Sequence, residues 1–218
     1  MSDDNLVRRL SNLDTCAVSD ALDRLQLTGV VLGLRPLTVL RRVAGRVLTT
    51  ELGPADGRKS IRHLGTAAVD AARPGDVIVM AHKGRLDAAG WGGLLSLGAV
   101  KKGVAGVIVD GAARDIDESR ELDLPVFARA AVPLTARGRV LEYNWNQKVQ
   151  VGNVEVSPGD LVLADGSGVV FVAADQAERV LAAAEEIAAR ERAMAEGVRA
   201  GKPMADVMGA NYENLLQR

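Results

Sequence analysis

An arginine directly followed by an aspartate, Arg114-Asp115, is the pair in this sequence best suited to chemistry on a small acid. An arginine binds a carboxylate through two parallel hydrogen bonds, and an aspartate supplies one hard oxygen ligand to Mg²⁺, which usually keeps several waters. With Asp117 and Glu118 close behind, the pair could hold a 2-oxo acid by its carboxylate while a metal polarises the keto group. The alternative is that Arg114-Asp115 only caps the short helix predicted for 116–122, and motif spacing alone favours neither interpretation.

A glycine-rich stretch, Gly90-Trp-Gly-Gly-Leu-Leu95, leads into a helix predicted for 93–102. Glycines let the backbone approach a ligand closely, and the first N–H groups of a helix form a cradle for a carboxylate or a phosphate. The alternative is that these glycines only allow close packing. The stretch is therefore a second candidate for binding an acidic ligand.

Two buried strands with a helix between them are predicted to bring these stretches together. Short continuous apolar runs predict strands at 76–81 and 106–110, which form a right-handed parallel βαβ unit with the helix at 93–102. In an open α/β sheet, ligands bind beyond the carboxyl ends of the strands. The loops predicted at 82–92 and 111–115 therefore share one edge of the sheet.

The remaining pattern predicts helices at both ends of the chain and a β region after residue 140. Apolar residues recur at helical spacing over 5–25, where Asp14 is a candidate start for a second helix. No repeat or linker divides the sequence, so a single domain is predicted over 1–218. Periodicity and turn residues further predict strands within 29–51, a helix over 58–72, a strand at 125–129, alternating strands at 149–156, a hairpin at 161–172, a long helix over 174–199 and a C-terminal segment at 203–216.

Composition narrows the classes of partner and cofactor. The 27 Lys and Arg residues nearly balance the 28 Asp and Glu residues, so the net charge of −1 gives no reason to expect nucleic acid or an anionic membrane. With one cysteine and two histidines, a bound metal is expected to have oxygen ligands, which favours Mg²⁺ or Mn²⁺ over zinc. No secretory signal is recognisable and no apolar run approaches the ~18 residues of a membrane span, which predicts a cytoplasmic protein.

Three other reactive side chains are predicted to be structural. Cys16 lies on the apolar rhythm of the N-terminal helix, which predicts a buried and inert thiol. His82 ends a predicted strand and could face a site, but it has no evident serine or cysteine partner and is predicted to be structural. His63 lies inside a helical pattern and is a weaker candidate still.

Several blocks of sequence, taken in order, carry a family resemblance. They are Gly75-Asp-Val-Ile-Val, Gly92-Gly-Leu-Leu, Gly103-Val-Ala-Gly-Val-Ile-Val-Asp-Gly, Ala113-Arg-Asp and Pro158-Gly-Asp-Leu-Val-Leu-Ala-Asp-Gly-Ser-Gly-Val-Val. At this spacing they resemble the RraA-like superfamily, which includes the class II 4-hydroxy-4-methyl-2-oxoglutarate / 4-carboxy-4-hydroxy-2-oxoadipate aldolases and the RraA regulator of RNase E. The resemblance runs from about residue 15 to about residue 175 and continues more weakly to the end.

The resemblance implies a compact α/β domain of the swivelling β/β/α type, assembled as a trimer or a dimer of trimers. It also implies that Asp115 holds a divalent metal and that Arg114 binds pyruvate. The pyruvate carboxylate would be held by the backbone of Gly92, Gly93, Leu94 and Leu95.

In these aldolases a glutamate from the C-terminal region of a neighbouring subunit completes the water shell of the metal. Spacing from Gly201 makes Glu191 the best match to that glutamate in this chain. Glu186 and Glu196 are the alternatives.

One position departs from the aldolase pattern. That pattern places an acidic residue about twenty residues before the Arg-Asp pair, where this chain has Gly93. The acid would orient metal-bound water and help to pass the proton that retro-aldol cleavage requires. In the preceding loop, Lys83, Arg85 and Asp87 could compensate, and the alternative is that they are solvated loop charges.

The residues and the resemblance together predict a lyase that depends on Mg²⁺ or Mn²⁺. It would cleave a 4-hydroxy-2-oxo acid to pyruvate and a carbonyl compound, or decarboxylate oxaloacetate, since both reactions share an enolate. One alternative is a non-catalytic regulator that binds a protein partner such as a ribonuclease. Another is a related lyase for a less polar substrate, which the low-charge stretch Ala88-Ala-Gly-Trp91 suggests.

Overall fold

The structure is a computed structural model that describes residues 4–59 and 62–209. Within these residues the helices are α1 (Asn5–Ser11), α2 (Thr15–Arg24), α3 (Thr66–Ala71), α4 (Gly93–Lys101), α5 (Ile116–Glu121), α6 (Ala177–Arg199) and α7 (Met204–Val207). The strands are β1 (Val30–Val31), β2 (Arg35–Pro36), β3 (Val43–Pro54), β4 (Val77–Ala89), β5 (Gly106–Ala113), β6 (Val126–Ala131), β7 (Val140–Trp145), β8 (Val149–Val151), β9 (Val154–Val156), β10 (Leu161–Asp165) and β11 (Gly168–Val172).

Four parallel strands form the centre of a nine-stranded mixed sheet. Strands β3, β4, β5 and β6 lie side by side in that order, and each pairs in parallel with the next. Antiparallel β10 and β11 extend the sheet beyond β3, with β1 next to β11, while β2 pairs with β6 and β7 pairs with β3. Strands β8 and β9 form a separate hairpin. This order confirms the predicted α/β class and the parallel β4–α4–β5 unit.

Three apolar clusters pack the layers together. One lies between the central strands and helices α3 and α4, a second lies between the opposite face of these strands and the β8–β9 hairpin, and a third lies between β10–β11 and helices α1, α2 and α6. The central strands are therefore buried on both faces, which explains the continuous apolar runs of β4 and β5. Representative members of the three clusters, in turn, are Met80 and Leu95, Val79 and Val151, and Leu10 and Leu181.

Strands β4 and β5 continue through much of the regions predicted as loops, 82–92 and 111–115. The β4 backbone takes left-handed φ angles at Lys83 (55°) and Gly84 (70°), and after register shifts its pairing with β5 extends to Ala89. The extra residues form bulges in the strand. The glycine- and charge-rich composition that predicted a loop therefore belongs to the irregular end of a strand.

The predicted helix over 58–72 is wrong in extent, because only Thr66–Ala71 is helical; residues 60–61 lie outside the described part. Gly65 takes a left-handed φ of 77° immediately before α3. Its N–H donates to the Glu142 carboxylate (2.8 Å). A glycine in this conformation interrupts the helical path, so the residues before it form an irregular segment.

The predicted N-terminal helix over 5–25 is divided in two at Asp14, whose carboxylate accepts the Ala17 N–H (2.8 Å) and begins α2. Cys16 is exposed, so the prediction of a buried thiol is wrong. The break between α1 and α2 resets the phase of the helical pattern and turns position 16 outward. The buried stripe of α2 consists of Thr15, Ala17, Val18, Ala21 and Leu22.

At the C-terminus, the predicted long helix is confirmed as α6. Of the predicted segment 203–216, α7 covers Met204–Val207, and residues 210–216 lie outside the described part. The extent of a single domain over 1–218 stays a prediction. Neither α6 nor any other helix in the described ranges is long and apolar enough to cross a membrane.

Candidate active site

The ends of β4 and β5 bring the two candidate stretches together. The Gly90 N–H donates to the Ala112 carbonyl (2.8 Å), and the Arg114 N–H donates to the Trp91 carbonyl (3.0 Å). These two bonds join the segment that follows β4 to the end of β5 and to the residue directly after it. The start of α4 and the Arg114-Asp115 pair therefore meet at one edge of the sheet, as the parallel unit predicted.

Asp115 directs its side chain toward the start of α4 and does not cap its own helix, α5. Its φ of 55° is left-handed, a conformation that costs free energy in a residue other than glycine and that clusters at functional sites. Asp115 occupies the N-cap position of α5, yet its carboxylate makes no capping hydrogen bond. Instead, Oδ2 accepts the Gly93 N–H (2.9 Å) and lies 3.3 Å from Nε of Arg114. This geometry excludes the capping alternative for the carboxylate.

Gly92 makes room for this carboxylate beside the start of α4. A Cβ atom at position 92 would lie 2.7 Å from Oδ2 of Asp115, too close for a side chain at that position. The N–H groups of Leu94 and Leu95 lie in the first turn of α4, where an α-helix provides no internal acceptor. With the Arg114 guanidinium beside them, they can bind a carboxylate.

Glu118 occupies the space that a side chain at position 93 would need. A Cβ atom on Gly93 would lie 1.8 Å from Oε2 of Glu118 and 3.2 Å from Cβ of Asp115. Glu118 lies in the first turn of α5, one helical turn after Asp115, so both carboxylates are directed to the same place. The acid expected at position 93 is absent, but a carboxylate from another element stands there.

A cleft of about 620 Å³ opens over the start of α4 and the Arg114-Asp115 pair, within the usual size range of small-molecule sites. Its second wall comes from the segment before α3 and from the loop between β6 and β7. The prediction that His63 lies inside a helix is wrong, because this residue is exposed in the segment before α3 and lines the cleft. No sequence motif marks the charged residues that share this wall with it, which are Arg58, Arg62 and Arg137.

A buried carboxylate anchors the second wall. The Glu142 side chain is 3% exposed, and its Oε1 lies 3.2 Å from Nε of Arg62. Its Oε2 accepts the Gly65 N–H (2.8 Å). Because an unpaired buried carboxylate is costly, these contacts hold the segment before α3 against β7. The next residue of β7, Tyr143, supports Arg58, whose guanidinium carbon lies 4.5 Å from the ring centroid.

His82 lies beneath the site and is fully buried, as its predicted structural role requires. Its Nε2–H donates to the Ala88 carbonyl (2.8 Å), while Nδ1 has no hydrogen-bond partner among the described residues. Burial lowers the pKa of this imidazole below its usual value of 6.5. The ring fills the space over Gly90 and Gly111, where a Cβ atom would lie 3.1 Å and 2.5 Å from its Cδ2.

The second half of β4 carries three charged residues, Lys83, Arg85 and Asp87. They pair with each other or with a residue of β3, and none of them lines the cleft. Arg85 and Asp87 form an ion pair (2.7 Å), and the hydrogen bond from Arg85 lowers the pKa of Asp87 to about 2. Nζ of Lys83 lies 3.2 Å from the Glu51 carboxylate. These contacts support the solvated-charge interpretation and not compensation for Gly93.

The candidate C-terminal glutamates lie on α6, and none of them lines the cleft of its own chain. Glu191 is half-buried, and burial, together with the charges of Asp14 and Asp20, raises its pKa. Glu186 pairs with Arg24 (2.9 Å) and also with Arg190, whereas Glu196 is exposed. A role for Glu191 in a neighbouring subunit, and assembly as a trimer or a dimer of trimers, stay predictions.

The site offers carboxylate oxygens as ligands for a divalent metal, but it has no complete set of protein ligands around one position among the described residues. The described ranges contain no group of three or more His, Cys, Asp or Glu side chains that could hold a metal ion together. Asp115 offers one oxygen ligand, and the Glu118 carboxylate lies beside Gly93, next to the Asp115 side chain. This donor set fits Mg²⁺ or Mn²⁺, which bind through few carboxylates and keep several waters.

Residues 15–171 match the family model described as RraA-like, Aldolase/RraA. The chain belongs to the RraA-like family. The match spans the start of α4, the Arg114-Asp115 pair and Glu118, so the whole candidate site lies within the part that defines the family.

Two relatives and one solved structure illustrate what this RraA-like chain is similar to. A protein of Halalkalibacterium halodurans named "Putative 4-hydroxy-4-methyl-2-oxoglutarate aldolase" is 33% identical over 200 residues, which cover 90% of this chain and 91% of the relative. Protein DlpA of Legionella pneumophila subsp. pneumophila is 29% identical over 177 residues; the match covers 81% of this chain but 29% of DlpA. The crystal structure of Streptomyces coelicolor RraAS2, described as an unusual member of the RNase ES inhibitor RraA protein family, has a TM-score of 0.79 at 27% identity and covers 87% of this chain and 95% of its own.

Proposed function

We propose that this chain is a divalent-metal-dependent carbon–carbon lyase that cleaves a 4-hydroxy-2-oxo acid to pyruvate and a carbonyl compound and also decarboxylates oxaloacetate. The observation that carries the proposal is the convergence of the α4 N-terminus, Arg114 and Asp115 at one end of a single cleft. The relatives named as aldolases support an enzyme of the lyase type.

In this proposal the 2-oxo acid binds by its C1 carboxylate. The N–H groups of Leu94 and Leu95 and the guanidinium of Arg114 receive that carboxylate, which orients the keto group toward Asp115. A Mg²⁺ or Mn²⁺ ion held by Asp115 would supply positive charge to offset the negative charge that develops on the 2-oxo group. Gly92 contributes by leaving the space that these groups require.

Glu118 supplies the acid that Gly93 lacks. Cleavage removes the proton from the 4-hydroxyl group, breaks the bond between C3 and C4 and later adds a proton to C3. The Glu118 carboxylate accepts the first proton, directly or through one water, and returns a proton in the last step. Glu118 is exposed, so it can also exchange protons with solvent.

The experiment that tests this function measures pyruvate release from oxaloacetate and from 4-hydroxy-4-methyl-2-oxoglutarate with Mg²⁺, with Mn²⁺ and with EDTA. We expect release with either metal and none with EDTA. Spontaneous decarboxylation of oxaloacetate by the free metal is subtracted with a protein-free control. Release that EDTA does not change, or no release from either substrate, would contradict the proposal.

The second candidate is a regulator that binds a protein partner, and the similarity to RraAS2 supports it. An exposed apolar ridge on α4, formed by Leu94, Leu97 and Val100, offers a surface for contact. This candidate predicts no metal-dependent turnover of any 2-oxo acid, together with a stable complex recovered with a ribonuclease. The same pyruvate assay therefore distinguishes the two candidates.

The cleft gives no support to a lyase for a less polar substrate. That alternative depends on Ala88-Ala-Gly-Trp91, of which Ala89 and Trp91 line the cleft but are almost fully buried, and Nε1 of Trp91 donates to Oγ of Ser96 (2.8 Å). The charged side chains that line the cleft are mostly arginines. The charges of the cleft therefore favour an acidic substrate over a less polar one.

A further inference from the structure

Beneath the candidate site, a chain of buried hydrogen bonds joins the start of α4 to the start of α5. Nε1 of Trp91 donates to Oγ of Ser96 (2.8 Å), and Oγ of Ser96 lies 2.8 Å from Oγ of Ser119. The Ser119 hydroxyl donates in turn to the Asp115 carbonyl (3.1 Å). Both serines are fully buried, and neither lines the cleft. The two hydroxyl groups are therefore out of reach of a ligand, and the proposed reaction does not use them.

The hydrogen bonds of this chain run in one direction, because each hydroxyl group has one proton to donate. The Ser119 proton goes to the Asp115 carbonyl, so the Ser96 proton is the one shared between the two hydroxyl groups. The Gly92 carbonyl lies 3.2 Å from Oγ of Ser96 and is a second acceptor for that proton. Every donor in the chain therefore has an acceptor, and a fully satisfied buried network makes the segments that it joins rigid.

One end of the chain is the backbone of Asp115, the proposed metal ligand. The Asp115 carbonyl accepts both the hydroxyl and the backbone N–H (3.1 Å) of Ser119. The left-handed φ of Asp115 is costly and persists only where the surrounding structure holds it. The Asp115 carboxylate also contacts α4, at the Gly93 N–H, but that carboxylate is the group that a metal would use. The serine pair links Asp115 to α4 through its backbone, independently of the carboxylate.

The other end of the chain is the first turn of α4. The Ser96 N–H donates to the Gly92 carbonyl (3.1 Å), so Ser96 closes the turn that contains the amide groups of Leu94 and Leu95. The serine pair therefore sets the distance between these amide groups and Asp115. A ligand held at both places requires that distance to be correct, and an error of about 1 Å can cost about 100-fold in rate.

We infer that Ser96 and Ser119 are positioning residues, whose hydrogen bond holds Asp115 in register with the carboxylate-binding turn of α4. The inference rests on the proposed function, because the metal and the α4 amide groups must act on the same ligand. Neither serine contacts that ligand. Both act through the backbone, Ser119 at Asp115 and Ser96 at Gly92.

S119A tests this role, because it breaks the bridge without leaving a donor unpaired: the Ser96 hydroxyl can still donate to the Gly92 carbonyl. Binding of Mn²⁺ is measured from the electron paramagnetic resonance signal of the free ion, without and with excess pyruvate, and a protein-free titration corrects for binding of Mn²⁺ by pyruvate itself. In the wild type, pyruvate should strengthen Mn²⁺ binding about 10-fold, within the usual range of coupling between two ligands. In S119A, Mn²⁺ alone should bind within about twofold of the wild type, but pyruvate should strengthen its binding less than about threefold.

Three further variants separate positioning from stability. S96A should lose the same coupling and also lower the melting temperature, because Nε1 of Trp91 then has no acceptor. S96A/S119A should lose no more of the coupling than S119A, since both hydroxyl groups act through one bridge. The control T49V removes a fully buried hydroxyl that donates to the Gln147 carbonyl and does not line the cleft. It should lower the melting temperature but keep the wild-type coupling.

Full coupling between pyruvate and Mn²⁺ in S119A would overturn the positioning role. So would an equal loss of coupling in T49V, because the coupling would then follow the stability of the chain and not the serine bridge. A wild-type chain that binds no Mn²⁺ would overturn this inference together with the proposed metal site. If the wild-type chain shows the coupling but releases no pyruvate in the lyase assay, the proposed reaction fails, and the coupling in S119A still decides the role of the two serines.

Discussion

The Glu118 carboxylate oxygen lies 1.8 Å from the place where residue 93 would carry a Cβ atom. Positions 93 and 118 therefore compete for one space, and this chain fills it from α5 and not from α4. With a side chain at position 93, the exposed Glu118 side chain would have to move to another rotamer, so only one of the two carboxylates can use this space.

If Glu118 moves the proton, its removal should slow cleavage without weakening substrate binding. We expect E118Q to lower kcat for 4-hydroxy-4-methyl-2-oxoglutarate by about 10²- to 10⁴-fold, the range of general acid–base catalysis. The affinity for pyruvate measured by calorimetry should change little. E121Q, on the exposed last turn of α5, is the matched control and should keep wild-type turnover.

Exchanging the two positions gives a stricter test of the same relationship. G93D alone should lose activity, because its side chain displaces the Glu118 carboxylate from the space beside α4. The double variant G93D/E118A should recover part of the turnover lost in each single variant, since it restores one carboxylate to the shared space. A double variant no more active than E118A would show that the shared space does not explain the role of Glu118.

Asp115 should be required for metal binding more than for folding. D115N keeps the side-chain volume and a residue that tolerates left-handed φ, but it removes the charge that a cation needs. We expect Mg²⁺-dependent pyruvate release to fall by more than about 10²-fold, with a melting temperature close to that of the wild type. D117N, whose side chain is 90% exposed and pairs with Arg120, controls for the loss of one acidic charge nearby.

The ion pair between Asp110 and Arg129 should contribute to stability and not to catalysis. The Asp110 side chain is 2% exposed; it lies 2.6 Å from Arg129 and also accepts the Gly152 N–H (2.9 Å). R129A would leave a buried carboxylate without its cation, and we expect the free energy of unfolding to fall by about 3–5 kcal/mol in urea titrations. K148A, which breaks an exposed pair with a glutamate, should leave the free energy of unfolding nearly unchanged.

His82 should make the folded state sensitive to acid. Its folded pKa is lowered by burial, so below the unfolded pKa, near 6.5, the unfolded chain takes up a proton that the folded chain resists. The free energy of unfolding should therefore fall as pH decreases below this value, with a contribution of up to about 1.4 kcal/mol per pH unit that continues down to the folded pKa. H82Q should remove this contribution to the slope, whereas H63Q, at an exposed position, should keep it.

Local features of the sequence determined the central architecture. Continuous apolar runs at β4 and β5, separated by a helix, predicted strands buried on both faces and a parallel crossover, and the structure has both. The same unit predicted that the start of α4 and Arg114-Asp115 meet. These features depend on residues close in the sequence and on the rule that ligands bind at the carboxyl ends of parallel strands, so they can be inferred without coordinates.

Only the tertiary structure decided which distant residues complete the site. The position of Glu118 beside Gly93 and the places of His63 and Arg137 in the cleft wall follow from how α5, the segment before α3 and the β6–β7 loop pack against the sheet. The periodicity of apolar residues predicts which side of a helix or strand is buried. It does not predict which other helix or strand packs against that side. The apolar pattern also gave wrong predictions for the burial of Cys16 and for the length of β4. The break between α1 and α2 shifts the pattern at Cys16, and the bulges shift it in β4.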